Sequence, residues 1–208
     1  MGTHRHFWLL GGRIDPDGNW GVAKRMKSYW EIPGPSKAPQ LPCTAFYKLD
    51  GSNMRFEWHK KRGWNKFGTR YTVFDETSEQ WGHVIPQFLE RLADDIEAVF
   101  KKNKNYRGIE EAVVFCEHFG PSSFAGWHDY EELKHSGELV IIDINIHKKG
   151  IVLPNDFVKD FGHLAIPQVV YRGNFNKQFV QDVREGKYEQ LEEGVVVKGV
   201  NPKNKRAQ

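Results

Sequence analysis

Two periodicities run along this chain. Met54, Phe56 and Trp58 alternate with Asn53, Arg55, Glu57 and His59, the period-two pattern of a strand buried on one face. The preceding run, 43–49, is also strand-like, and Asp50-Gly51 between the two reads as a turn. A further short strand is expected at 69–74. From Trp81 the spacing changes. Trp81, Val84, Ile85, Phe88, Leu89, Leu92, Ile96, Val99 and Phe100 recur every three or four residues, which predicts a helix over 77–104. Thr77 with Gln80 reads as its capping box, and Pro86 suits a first-turn position where the main helix restarts. Strands are predicted at 112–116, 138–144 and 194–198. Short helices are predicted at 155–161, capped by Asn155 and stopped by Gly162, and at 176–185, closed by Gly186. Prolines at 33, 35, 39 and 42 make 31–42 an extended loop. Gly11-Gly12 and Asp15 to Asn19 read as turns. Strands outnumber helices, and hairpin links are frequent. The fold class is therefore expected to be α+β, built on antiparallel sheets flanked by helices.

Composition narrows the class. The 208 residues include 14 Phe, 7 Tyr and 7 Trp, with 27% charged residues, a globular balance long enough to bury a core without disulfide or metal staples. No apolar run approaches the roughly 18 residues a membrane helix needs, and Phe7 to Leu10 is too short a patch for a signal peptide. The two cysteines, Cys43 and Cys116, form no CxxC. The nine histidines show no HExxH spacing. These features point to a soluble, cytoplasmic protein with no membrane partner. The net charge is only +3, mild for a chain that lives by phosphate contacts. The basic residues are clustered, at Lys60-Lys61-Arg62, Lys101 to Lys104 and Lys198 to Arg206, and each cluster reads first as a solvated face.

Four stretches could carry chemistry. Lys48-Leu49-Asp50-Gly51 ends a strand in a lysine beside a tight turn. Phe115-Cys116-Glu117-His118-Phe119-Gly120 places an acid at the end of an apolar strand. Leu139 to Ile144 buries Asp143, and a buried carboxylate needs a partner. In Glu193-Gly194-Val195-Val196-Val197-Lys198, Val195 and Val197 face one side of a strand, with Val196 and Lys198 on the other. A free lysine amine is neutral in only about one molecule in a thousand at pH 7, a penalty of roughly 4 kcal/mol for a nucleophile. Partial burial and a nearby cation reduce that penalty.

In this order the four stretches resemble the nucleotidyltransferase motifs of the ATP-dependent polynucleotide ligases, over residues 46 to 198. Asn53 after Lys-x-Asp-Gly-Ser is more similar to the nick-sealing RNA ligase branch than to DNA ligases. Phe67-Gly68-Thr69-Arg70 resembles the family's arginine motif. The resemblance implies one ATP-grasp-like nucleotidyltransferase (adenylation) domain over 1–208, with ATP and Mg²⁺ as cofactors. It implies a lysyl-AMP adduct on catalytic Lys48, transfer of AMP to a 5′-phosphate, and sealing to a 3′-hydroxyl. The partner would be nicked or single-stranded RNA, with DNA as the alternative. The nucleotide would be bound by Tyr47, Lys48, Leu49, Asn53, Arg70, Glu117, Ile142 and Lys198, and the metal by Asp50, Glu117 and Glu193. The backbone beside Lys48 would read adenine. Arg70 and Lys198 would hold phosphates, and Lys198 and the metal would lower the proton affinity of Lys48. The clusters at 60–62 and 198–206 would face the strand.

Two departures stand out. Ile142 occupies the place where the RNA ligase branch often has an aromatic residue before the aspartate. The family's last motif, a Lys-x-Lys strand some 20 residues after the Glu-Gly motif, would fall beyond Gln208, and Lys203-Asn204-Lys205 lies too close to Glu193 to serve. The chain is therefore expected to end before that motif. A second class stays open: a catalytically incomplete ligase-like module that binds nucleic acid without chemistry.

Overall fold

In the computed structural model, residues 29, 32, 34–38, 40–119, 138–188 and 193–200 are described. The turns expected at 11–19, Gly120 and the 203–205 lysines lie outside them. Two antiparallel sheets carry the fold. The larger contains β2 (Ser52–His59), β3 (Gly63–Thr69), β4 (Val73–Phe74), β5 (Glu111–Phe119), β6 (Glu138–Ile146) and β7 (Gly150–Ile151), in the order β4-β3-β2-β5-β6-β7. The smaller sets β1 (Pro42–Tyr47) between β8 (Val169–Asn174) and β9 (Val195–Gly199). The α+β class with antiparallel sheets is as the sequence predicts. Among the described residues no helix is long and apolar enough to cross a membrane.

Each sheet buries one face against helices. Met54, Phe56 and Trp58 of β2, Val114 and Cys116 of β5, and Ile141, Ile144 and Ile146 of β6 pack on α1 (Val84–Phe88), α2 (Asp94–Lys102) and α3 (Pro154–Phe161). Phe56 stacks on Phe88 with ring centroids 3.7 Å apart, a contact worth about 1 kcal/mol beyond area burial. In the smaller sheet, Cys43 and Ala45 with Val195 and Val197 face α4 (Lys177–Arg184), which contributes Phe179, Val180 and Val183. Phe46 points the other way, into the larger core. The opposite face of the larger sheet carries Asn53, Arg55, Glu117 and Asp143. It is closed partly by Tyr29, whose ring meets Phe115 edge-on at 5.0 Å.

Some elements depart from the sequence reading. β3 was not expected, because a bulge breaks its alternation: Glu57 pairs with Lys66, but Trp58 pairs with Trp64. The extra residue, Asn65, turns its side-chain amide onto Gly63 O at 2.8 Å. The strand expected at 69–74 is instead the end of β3, a turn at 70–72, and β4. Thr77 is no helix cap. Asp75 accepts from its N–H at 3.0 Å, Ser78 Oγ accepts from Trp81 N–H at 3.2 Å, and the chain turns until α1 begins at Val84. A Cβ on Gly82 would lie 2.4 Å from Glu76 O, so this turn requires glycine. Pro86 lies in the first turn of α1, where a missing N–H costs nothing. A π-helical turn, Leu89–Ala93, joins α1 to α2. Helix α3 starts one residue earlier than expected, with Leu153 at the cap and Pro154 at its first position, so Asn155 is not its cap. Asn176 does cap α4, accepting from Phe179 N–H at 2.9 Å, and Gly186 follows at φ 68°.

Candidate active site

Lys48 follows β1 directly, and its N–H donates to Gly194 O at 3.0 Å, while Tyr47 N–H donates to Gln168 O at 2.8 Å. These two N–H groups are thus engaged within the fold. The turn that follows lies on the end of β5. A Cβ on Gly51 would sit 2.5 Å from His118 O and 3.0 Å from Glu117 Cγ. The glycine of Lys-x-Asp-Gly is therefore a steric requirement of bringing the lysine turn onto the glutamate strand. Asn53 and Glu117 are paired neighbours in the β2–β5 register.

One cavity of about 710 Å³ opens between the two sheets. Tyr47, Lys48, Leu49, Asn53, Arg70, Glu117, Ile142 and Lys198 all line it. Glu193 reaches the same place by pairing its carboxylate with Lys48 Nζ. Asp50 does not line the cavity, but its charge acts on Glu117. Burial pushes the Glu117 carboxyl up to about 7, Lys48 and a side-chain hydrogen bond from Asn53 oppose the rise, and Glu193 and Asp50 add to it.

Lys198 has a different environment from the one expected. Its side chain is 11% exposed. Its Nζ lies 2.9 Å from Asp143 Oδ1 and also donates to Ile142 O. It rests over the rings of Phe46 and Phe157, 4.8 and 5.1 Å from their centroids. Asp143 is the buried carboxylate singled out in the sequence, and Lys198 is one of its two partners among the described residues. The other is Tyr29, whose hydroxyl donates to Asp143 Oδ2 at 2.5 Å. The cation expected to face the phosphates and depress Lys48 is thus neutralised by an aspartate, and the charged group in contact with Lys48 is a carboxylate.

Several lining residues had no signal in the sequence. Tyr29, Trp81 and Pro167 reach the cavity from separate stretches of chain. Tyr29 O also accepts from Arg70 Nε at 3.4 Å. His118, next to Glu117, turns away into the core beside Trp81 and His83, and burial holds its imidazole down at about 4. Cys116 is a core residue, its thiol raised by burial. The Lys60–Arg62 turn joins the far ends of β2 and β3, about 20 Å along the ribbon from Asn53.

The donor set bears on a metal. Among the described residues no three His, Cys, Asp or Glu side chains converge as a preformed metal cage. Asp50, Glu117 and Glu193 are close enough to perturb one another electrostatically, and Asn53 Oδ1 is buried with no partner among the described residues. One or two carboxylates beside a free amide oxygen suit Mg²⁺, which keeps waters and shares substrate phosphates rather than filling an all-protein cage.

Residues 42–207 match the profile of a family described as RNA ligase. No curated protein matches the chain significantly.

Proposed function

Because the chain belongs to the RNA ligase family, we propose that it is an ATP-dependent RNA ligase built on a nucleotidyltransferase domain, with Lys48 as its nucleophile. The observation that supports this most is the meeting of Lys48, Arg70, Glu117 and Lys198 on one cavity, with Glu193 paired to the lysine. The sequence separation of these groups is large, so the assembly is a product of the fold and not of local turn chemistry.

In this reading Lys48 gives up a proton by way of Glu193, which touches its Nζ. The neutral amine attacks the α-phosphorus of ATP. A Nζ–P bond forms as the bond to the bridging oxygen breaks, and pyrophosphate leaves. The AMP then passes to the 5′-phosphate of an RNA strand, and a 3′-hydroxyl displaces it to close the phosphodiester. Such transfers depend mainly on positioning and on offsetting phosphate charge. Arg70, on the cavity wall, would meet the phosphates. Ile142 and Val196 offer apolar surface for adenine, flanked by Tyr47 and Leu49. Asp50, Glu117, Glu193 and Asn53 would hold Mg²⁺, which would supply positive charge against the triphosphate.

A second reading, a module that grips RNA without chemistry, is favoured by one observation: Lys198 is committed to Asp143. A nicked RNA duplex labelled at its 5′-phosphate separates the two. The ligase reading predicts 5′-adenylated and sealed strands with ATP and Mg²⁺, and neither with Lys48→Ala. Binding of the duplex with no adenylated strand from the unaltered protein would favour the second. A nicked DNA duplex run beside it tests the choice of strand.

A further inference from the structure

Among the described residues, Tyr71 is the most exposed of the large hydrophobic side chains, at 85%. A lone exposed ring is ordinary on a protein surface, but three observations set this one apart. The first is position: Tyr71 lies on the wall of the cavity that holds Lys48, immediately after Arg70. The second is rigidity. Thr69 Oγ1 accepts from the N–H of Tyr71 at 3.2 Å and of Thr72 at 3.1 Å. It also lies 3.0 Å from Thr72 Oγ1, while Thr69 N–H donates to Thr72 O at 2.8 Å. The 69–72 turn is closed by four hydrogen bonds between Gly68–Val73 and the open end, so the backbone that presents the ring outward is held in place. The third is chemistry: the ring and hydroxyl of Tyr71 have no partner among the described residues, while Arg70 beside it turns inward to Tyr29 O.

An unpartnered aromatic ring on a hydrogen-bonded turn, next to a guanidinium at the lip of a cavity large enough for a nucleotide, is the arrangement that single-stranded nucleic acid uses. The backbone phosphate meets the cation and the splayed base stacks on the ring. We propose that Tyr71 is a stacking platform for the first base of the RNA strand that carries the 5′-phosphate, with that phosphate entering the cavity past Arg70. This rests on the ligase reading for the identity of the strand, but it concerns binding alone. A tyrosine stacks on any base, so the platform fixes the position of the strand end without selecting its sequence.

The test is a double-mutant cycle on binding, without ATP. A 3′-fluorescein RNA oligonucleotide with a 5′-phosphate is titrated at fixed salt with the unaltered protein, Tyr71→Ala and Tyr71→Trp. Its first nucleotide is either intact or abasic. Removing the base should weaken binding to the unaltered protein and to Tyr71→Trp by roughly 5- to 50-fold. It should weaken binding to Tyr71→Ala less than twofold. An equal loss in all three proteins, or no loss in the unaltered one, overturns the proposal. The readout needs no turnover. A coupled result without an adduct on Lys48 would leave the platform standing and sink the ligase reading, and the converse result would do the reverse.

Discussion

Tyr29 donates its hydroxyl to Asp143 Oδ2 at 2.5 Å, while the other oxygen of that carboxylate takes Lys198 at 2.9 Å. One buried aspartate thereby ties the stretch before β1 to β6 and β9, and so ties the two sheets together beneath the cavity. Burial, and then the neighbouring Asp143 charge, raise the Tyr29 hydroxyl far above its usual range, so it remains a donor at any working pH.

Tyr29→Phe removes only that hydroxyl. The ring still meets Phe115, and the main-chain oxygen still accepts from Arg70. The variant should lose about 1–2 kcal/mol of stability in urea unfolding, the cost of a buried acceptor deprived of one partner.

Lys198→Met is expected to cost more, about 3–5 kcal/mol, because it strands the Asp143 charge at 3% side-chain exposure. Adding Asp143→Asn should recover part of the loss, since the stranded charge then disappears. Unfolding midpoints of the two single variants and the double variant give the coupling, and additive losses would mean that the pair does not interact as the geometry implies.

Gly51→Ala places a methyl 2.5 Å from His118 O, a backbone atom that cannot step aside alone. The Lys48 turn must shift off β5. Stability should fall by about 1–3 kcal/mol, and adenylation should fall with it even though no reacting group has been changed.

Glu117 gives the protein a dependence on pH. Its carboxyl titrates at about 7 in the folded chain and near 4.5 when free. Between those values the folded protein holds a proton that the unfolded chain has released. The resulting stabilisation is complete below about 4.5, declines as pH rises, and is gone above about 7. Glu117→Gln should abolish the decline, so its urea midpoint relative to that of the unaltered protein should rise between pH 5 and pH 7.5.

Much of this architecture is readable in the sequence, and the failures have physical causes. β5 is an apolar run buried on both faces, with Tyr29 over Phe115, and β6 shifts register opposite Phe115 and Cys116, while β2 alternates cleanly in sequence, with Met54, Phe56 and Trp58 on the core. β3 does not, because its bulge at Asn65 puts Trp64 and Phe67 on the core three residues apart. Thr77 mimicked a helix cap because Asp75 and Ser78 close turns with the same side-chain chemistry that caps use. In the cavity, Lys48 and Glu193 belong to compact motifs and were visible at once. Tyr29 and Trp81 arrive singly, with no local pattern to mark them. In the sequence Asp143 stands out as a carboxylate needing a partner, and Lys198 through the family resemblance as a phosphate ligand. That they answer each other is a tertiary fact, set by how β9 lies against β6.

In the proposed reaction Lys48 takes AMP from ATP. Intact-mass measurement of the protein incubated with ATP and Mg²⁺, followed by peptide mapping, addresses it directly. The expected result is a gain of one adenylate per chain, acid-labile and confined to the peptide containing Lys48, and none in Lys48→Ala. No mass gain in the unaltered protein, or an equal gain in the variant, would contradict it.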